Sequence, residues 1–170
     1  MASKDQFEAF KLFFGWEEDR AKSLTETGKI YLALISAFFA YLGYKLTDTQ
    51  FSELIALRAG PLPWGLLLYA SVFVLLVIGL AATLLSLFVH NYEEIVNPQE
   101  FFEQSVATNW TDSQFYDALI TNLNVTTEVN SKVNDIRAMK LQVASYSLFF
   151  GFVLYGVVFL TASWCKAGGC

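Results

Sequence analysis

The chain has few of the residues on which most enzyme chemistry depends. Its 170 residues include two cysteines, both among the last six positions, and one histidine. A small fold held together by several disulfides is therefore excluded. A single histidine supplies no paired imidazole ligands, and the sequence also lacks a glycine-rich phosphate loop and a nucleophile elbow. We expect no catalytic residue, no metal site and no cofactor, and hence a protein that is not an enzyme.

Charge is also scarce. Lys, Arg, Asp and Glu make up 16% of the residues, whereas soluble domains usually contain about 25%. At the same time 55% of the residues are hydrophobic, which excludes a disordered chain. The net charge of −5 leaves no basic surface to follow a phosphate backbone, so no direct nucleic-acid partner is expected.

The charges that are present avoid three stretches of the sequence. These stretches are Ile30 to Tyr44, Ala59 to Tyr92 and Leu141 to Cys165. A soluble helix needs a polar face, which neither of the two longer stretches has. We predict an all-α integral membrane protein with three transmembrane helices, at residues 29–46, 64–90 and 141–164. A cleaved signal peptide is disfavoured because about thirty residues precede the first stretch, and a buried helical hairpin in a soluble protein is the alternative.

The positions of Lys and Arg predict the orientation of the spans. Eight of the eleven lie before the first span or between the second and third, and three lie on the other side. We therefore expect a multi-pass protein of the inner (plasma) membrane, with its N-terminus in the cytoplasm and its C-terminus outside. Trp64 and Trp164 then fall on the same outer face, as an aromatic belt requires.

The segments that flank the first span also have recognisable patterns. Residues 1–28 predict an amphipathic cytoplasmic helix that either lies on the inner membrane surface or docks on the cytoplasmic helices. Its apolar positions repeat at helical spacing, at Phe7, Phe10, Phe14, Ala21 and Leu24. Docking is the better fit, because the spacing continues through Gly28 and Tyr31 into the first span. Residues 47–63 predict an outer loop with a short helix, and residues 165–170 an outer tail whose two cysteines either form a disulfide or stay free.

Residues 91–140 predict a cytoplasmic helical region with two helix starts. Asn97-Pro98 combines a preferred cap with proline at the first helical position. Thr111 to Gln114 has the form of a capping box, and no Pro or Gly separates it from the third span. A helix continuous from Asp112 to Trp164 would be about 80 Å long. Its weakest part is Asn122 to Asn130, where Asn, Thr and Val lower the helix propensity.

Two sets of residues are candidates for contacts. Small and polar residues on the spans suit close helix packing, either within the chain or as a seam between the copies of a homo-oligomer. They are Ser36, Ala40, Gly43, Gly79, Thr83, Gln142 and Ser145. Apolar residues in the cytoplasmic region predict a face for a cytoplasmic protein partner. They are Phe115, Leu119, Val129, Val133 and Ile136.

The order of these parts resembles a known group of membrane proteins. A polar run from Glu17 to Lys22 leads into the first span, and Asn130, Lys132, Asn134 and Lys140 precede the third. The chain thereby resembles the small three-span modules of bacterial anti-phage systems, the Pycsar-type and SLATT-type transmembrane effectors. The resemblance implies a non-enzymatic effector that assembles in the lipid bilayer and impairs the inner membrane. Because the sequence has no separate nucleotide-sensor domain, a partner protein is the expected cue. A membrane anchor or accessory subunit that recruits a cytoplasmic partner is the alternative.

Overall fold

The structure, a computed structural model, describes residues 4–46, 63–88, 92 and 98–164. Over these residues the fold consists of four helices and no strand, which confirms the predicted all-α class. The helices are α1 (Lys4–Leu46), α2 (Trp64–Phe88), α3 (Pro98–Ala107) and α4 (Asp112–Trp164). Three features of the sequence analysis lie outside the described residues. They are the short helix expected within 47–63, the one histidine of the sequence, His90, and the two cysteines of the tail.

The helix starts in the second half of the chain follow from local capping. α3 begins at Pro98, as predicted. It ends before Asn109, which has a positive φ of 50° that asparagine tolerates better than most residues. At the start of α4 the backbone N–H of Thr111 donates to Gln114 Oε1 at 2.9 Å, and the N–H of Gln114 donates to Thr111 Oγ1 at 3.4 Å. These reciprocal bonds confirm the predicted capping box.

The first and last helices are long and unbroken. α1 has 43 residues, so the amphipathic segment and the first predicted span form one helix. α4 has 53 residues, which at 1.5 Å per residue is about 80 Å. The continuous helix predicted from Asp112 is therefore present, and the low helix propensity between Asn122 and Asn130 does not interrupt it.

The chain divides into two compact units, and the division falls inside both α1 and α4. The polar unit comprises Met1–Glu26 and Val89–Ala138, and the apolar unit comprises Thr27–Phe88 and Met139–Cys170. By sequence the polar unit has six basic and fourteen acidic residues, a net charge of −8. The apolar unit has five basic and two acidic residues, a net charge of +3.

The apolar unit is a bundle of three helix segments with a hydrophobic core. The core is formed by Ile35, Phe38, Leu42, Tyr69, Val72, Leu76, Leu148 and Val158. Phe38 of α1 stacks on Phe152 of α4 with 4.3 Å between ring centroids. Two glycines permit close helix approach, because a Cβ at Gly28 would lie 2.8 Å from Leu87 Cδ2 and one at Gly79 would lie 3.3 Å from Ser147 Cβ.

Two described helices are long and apolar enough to cross a membrane, judged by length and composition. They are α2 and the Asp112–Thr161 part of α4. α1 does not meet the same criterion. Its charge-free stretch from Ile30 to Tyr44 is only fifteen residues long, so a segment of membrane length includes a flanking lysine, and its Ser, Gly and Tyr also lower the hydropathy. Among the described residues, two of the three predicted spans are thus long and apolar enough to cross a membrane.

Candidate functional site

The buried side of α4 in the polar unit is largely polar, although it also includes Leu123. Thr126, Asn130, Asn134 and Arg137 are buried at spacings of four, four and three residues. Asn134 has no exposed surface, and the side chain of Arg137 is 2% exposed. A buried amide and a buried guanidinium are costly unless they are hydrogen-bonded. The contacts of these two side chains therefore define the candidate site, which we call the polar seam.

Tyr92, from the connection between α2 and α3, contacts both side chains. Its hydroxyl donates to Asn134 Oδ1 at 2.5 Å and accepts a short hydrogen bond from Arg137 Nη1. The guanidinium carbon of Arg137 also lies 5.7 Å from the centroid of the Tyr92 ring, within range of a cation–π interaction. One tyrosine thus ties the α2–α3 connection to the buried face of α4.

α1 supplies the other side of the polar seam. The amide nitrogen of Asn134 donates to the backbone carbonyl of Glu17 at 3.1 Å and to its carboxylate at 2.8 Å. Arg137 Nη2 donates to Thr25 Oγ1 at 2.8 Å, and that hydroxyl donates to the carbonyl of Ala21 at 2.9 Å. The seam therefore joins α1, α4 and the α2–α3 connection through charged and neutral hydrogen bonds.

Ion pairs lie at the exposed edge of this seam. Arg20 Nη2 is 2.5 Å from Asp135 Oδ1, and Arg20 Nη1 is 3.6 Å from Glu17 Oε1. The hydrogen bond to Asp135 raises the pKa of the Arg20 guanidinium above its ordinary value. Because Arg20 and Asp135 are both partly exposed, we expect this pair to orient the helices and to contribute little stability.

One buried polar atom near the seam has no hydrogen-bond partner. It is Oδ1 of Asn122, and it is the one such side-chain atom found among the described residues. An unsatisfied buried acceptor costs about 1–3 kcal/mol. Asn122 lies in the part of α4 with low helix propensity, so we expect this stretch to be less stable than the rest of the helix.

The polar seam is suited to positioning rather than to bond making. Its donors and acceptors are directed at one another, and it contains no nucleophile beside a general base. Within residues 4–46, 63–88, 92 and 98–164, no group of three His, Cys, Asp or Glu side chains is placed to hold a metal ion. What the arrangement can do is fix the rotation and register of α1 against α4 inside the polar unit.

The small residues expected to pack the spans fall into two groups. Gly79 and Thr83 are buried, and Gly79 lies against α1 and α4 within the apolar unit. Ser36, Ala40 and Gly43 are exposed, and a Cβ at Gly43 would meet nothing within 4 Å. Gln142 is exposed and donates to Tyr146 Oη at 3.1 Å, while Ser145 is half-buried. The first group packs inside the chain, and the α1 group is open to an outside contact.

The residues expected to form a partner face also differ in burial. Phe115, Leu119, Val129 and Val133 are half-buried, and Ile136 is 45% exposed. The ring of Phe115 packs against the ring of Phe101 inside the polar unit, with 5.8 Å between the ring centroids. Of the five, Ile136 is the most open to a partner.

Contacts within the polar unit agree with the prediction that the amphipathic segment docks on another helix. The rings of Phe7 in α1 and Tyr116 in α4 are in contact, with 6.0 Å between their centroids. The other apolar positions of the segment are half-buried: Phe10, Phe14, Ala21 and Leu24. The part of the segment that faces away from these contacts exposes three large apolar side chains, which we call the outer patch. They are Leu12, Phe13 and Trp16.

Two features of the polar unit were missed in the sequence: the polar seam and the outer patch. The seam could have been found from register, because Asn130, Asn134 and Arg137 continue the three-and-four spacing of the buried Leu141 and Ala144. Hydrophobicity alone pointed to the other side of α4, where the valines lie. The outer patch has a simpler signal, since Leu12 and Trp16 are four residues apart.

Comparison with known proteins adds no relative. No family model matches the chain, and no curated protein or solved structure is similar to it.

Proposed function

We propose that the protein is a three-span membrane effector that oligomerises and permeabilises the inner membrane under the control of its cytoplasmic helices. The observation that carries this proposal is the continuity of α1 and α4, each of which runs unbroken from the polar unit into the apolar unit. The resemblance to anti-phage effector modules supplies its cellular setting, bacterial defence.

The surface of the apolar unit supports a place in the bilayer. Large hydrophobic side chains are exposed all along its helix segments, in addition to those in the core. Examples on α2 are Val74 and Phe88, which are 56% and 77% exposed. On α1, Ile30 and Leu34 are 58% and 47% exposed. Monomeric soluble proteins rarely expose such continuous apolar surface, whereas lipid tails would cover it. Because α1 exposes apolar side chains in this way, we propose that it forms the first span.

A cation marks the proposed cytoplasmic boundary of the apolar unit. Lys140 Nζ donates to the backbone carbonyl of Leu85 at 3.3 Å, in the last turn of α2. A lysine at this position stabilises the partial negative charge of the helix C-terminus. Its ammonium group also suits the headgroup region on the side where Lys and Arg accumulate.

The polar seam is the proposed control point. It holds Asn134 and Arg137 of α4 against Glu17 and Thr25 of α1. A cue that breaks these hydrogen bonds would release the rotation of one helix against the other. Because each helix continues without a break, that rotation would alter contacts such as the Phe38–Phe152 stack in the apolar unit. We propose that the seam maintains the closed state of the membrane helices.

The proposal is tested by the membrane potential of bacteria that express the full chain. Asn134→Leu removes the central amide of the seam and should depolarise cells more than the wild type does at equal membrane levels. Glu128→Gln is the matched control, because it breaks an exposed ion pair of the same helix and should behave as the wild type. An unchanged potential for the wild type and Asn134→Leu, with and without candidate partners, would reject the effector function.

The proposed orientation has an independent test. Single cysteines placed at positions 57 and 121 of a cysteine-free chain lie on opposite sides of the proposed membrane. A membrane-impermeant thiol reagent should label Leu57→Cys in intact cells and Thr121→Cys only after lysis. Equal labelling in intact cells would reject the topology.

A second function is favoured by the outer patch. Leu12 and Trp16 are each 63% exposed in the polar unit, so the chain carries an apolar surface that a cytoplasmic protein could cover. A membrane anchor would use this surface to hold its partner and would leave the membrane potential unchanged. Co-localisation of a partner with the membrane, lost in Trp16→Ser while the potential stays normal in both strains, would favour the anchor over the effector.

A further inference from the structure

The outer patch is an ordered apolar surface on the charged unit of the protein. Leu12, Phe13 and Trp16 are 63%, 52% and 63% exposed. The rings of Phe13 and Trp16 meet edge to face, with 5.1 Å between centroids and 85° between planes. This contact holds two aromatic side chains in a fixed orientation. Trp is among the side chains that most often carry binding energy at protein interfaces, and Phe is enriched there.

Carboxylates border the outer patch at both ends. On α1, Glu8 lies one turn and Asp5 two turns before it, and Asp19 lies one turn after it, all with exposed side chains. Two lysines form ion pairs with these carboxylates, Lys11 with Glu8 at 4.0 Å and Lys22 with Asp19 at 3.6 Å. All four side chains of these pairs are more than half exposed. Such exposed pairs are weak, so a partner's cations can compete for the same carboxylates.

Charge selects among the possible occupants of the outer patch. The polar unit carries fourteen acidic and six basic residues, and its net charge is −8. Anionic lipid headgroups of the cytoplasmic leaflet would repel it. A second copy of the polar unit carries the same charge, so self-association through this surface is also opposed. A partner that combines an apolar face with basic residues complements both the patch and its border.

We infer that the outer patch is the docking site for a basic amphipathic helix of a cytoplasmic protein. The helix inserts apolar side chains against Leu12, Phe13 and Trp16, and its lysines or arginines pair with Asp5, Glu8 and Asp19. This is the helix-on-helix mode of recognition, with anchors at positions such as i, i+4 and i+7. The inference deepens the proposed function by naming the class of partner, and it rests on that function only for the cytoplasmic location of the polar unit.

The test uses the full chain in phosphatidylcholine nanodiscs and two labelled helical peptides of about 18 residues, long enough for several turns. The peptides share one face of Leu and Ala and carry either Lys or Glu on the other face. Fluorescence anisotropy measures binding, with empty discs as the blank. The Lys peptide should bind about tenfold more tightly than the Glu peptide. The double variant Leu12→Ser, Trp16→Ser should weaken its binding about tenfold.

A matched control and a charge swap sharpen the test. Phe102→Ser removes a ring that is 61% exposed on α3 of the same unit and should leave peptide binding unchanged. The double variant Glu8→Lys, Asp19→Lys should reverse the preference, so that the Glu peptide binds more tightly. Circular dichroism should show the same helix content in all variants, because every substituted side chain is exposed.

Several outcomes would overturn the inference. They are failure of the wild type to bind the Lys peptide, equal binding of both peptides, and equal loss in Phe102→Ser. Self-association that the Leu12→Ser, Trp16→Ser variant abolishes would assign the patch to a second copy instead. The peptide assay does not depend on the membrane potential. Depolarisation without peptide binding would reject this inference alone, and peptide binding without depolarisation would reject the effector function alone.

Discussion

The side-chain amide nitrogen of Asn134 in α4 donates two hydrogen bonds to one residue of α1, to the backbone carbonyl of Glu17 at 3.1 Å and to its carboxylate at 2.8 Å. The two residues are 117 positions apart in the chain. A side chain that bonds simultaneously to a backbone atom and a side chain of the facing helix fixes both axial register and rotation. In the polar unit this amide therefore helps to specify how α1 and α4 pair, together with the Arg137–Thr25 hydrogen bond.

Replacement of this amide should destabilise the polar unit. Asn134→Leu leaves the Glu17 carboxylate without its amide donor and the Tyr92 hydroxyl without its acceptor, at a fully buried position. The expected loss is about 1–3 kcal/mol. Thermal unfolding of the purified protein in detergent, followed by circular dichroism, measures it. Asn124→Leu, at an exposed position of the same helix, is the control, and equal midpoints for the two variants would contradict the role of the seam.

The opposite effect is expected at Asn122. Its side-chain oxygen is buried without a hydrogen-bond partner, so Asn122→Leu should stabilise the protein. The gain combines removal of the unsatisfied acceptor, about 1–3 kcal/mol, with a better helix propensity. Asn124→Leu provides the propensity gain alone. A midpoint for Asn122→Leu that does not exceed that of Asn124→Leu would show that the acceptor is satisfied in solution.

In the apolar unit, a side chain added at Gly79 should lower the stability of the protein, whereas one added at Gly156 should not. A Cβ at Gly79 would lie 3.3 Å from Ser147 Cβ and 3.5 Å from Ile35 Cδ1, whereas one at Gly156 would meet nothing within 4 Å. Gly79→Ile should therefore destabilise by about 1–3 kcal/mol through overpacking. Gly156→Ile gains the same helix propensity and should be neutral or stabilising. Thermal midpoints in one detergent compare the two, and equal values would contradict the close approach.

The exposed small residues of α1 predict a different outcome. Gly43 has open space around it, so Gly43→Ile should not lower the thermal midpoint of the isolated chain. If copies of the chain pack through Ser36, Ala40 and Gly43, the same change should shift the protein toward monomer. Light scattering after size exclusion in detergent measures the mass. An unchanged oligomer in Gly43→Ile would remove this stripe from the proposed seam between copies.

The ionisation of Glu128 should make the folding stability depend weakly on pH in the acidic range. Its carboxylate accepts a 2.7 Å hydrogen bond from Lys132, which lowers the pKa of Glu128 below its ordinary value of 4.5. A carboxylate whose pKa is lower in the folded state contributes stability above its ordinary pKa and loses it as the pH falls through the lowered value. Glu128→Gln should therefore be slightly less stable than the wild type at pH 7 and equal to it at strongly acidic pH. A difference that grows on acidification would contradict this sign.

Local sequence signals accounted for the helix boundaries. Asn97-Pro98 and the Thr111–Gln114 capping box predicted where α3 and α4 begin, because a cap depends on residues within one turn. The absence of Pro and Gly before the third span predicted that α4 continues to Trp164. The spacing of Phe7, Phe10 and Phe14 predicted an amphipathic segment that docks, and its continuation through Gly28 and Tyr31 agrees with the single helix α1.

The sequence by itself determined that the chain is helical, that two of its helices are apolar enough for a membrane, and where charge is concentrated. Only the tertiary structure decided which side of each long helix is buried. α4 has valines on one side and Thr126, Asn130, Asn134 and Arg137 on another, and the polar side is the buried one. The physical reason is that partners supplied by Glu17, Thr25 and Tyr92 offset the cost of burying Asn134 and Arg137, and those partners lie far away in sequence.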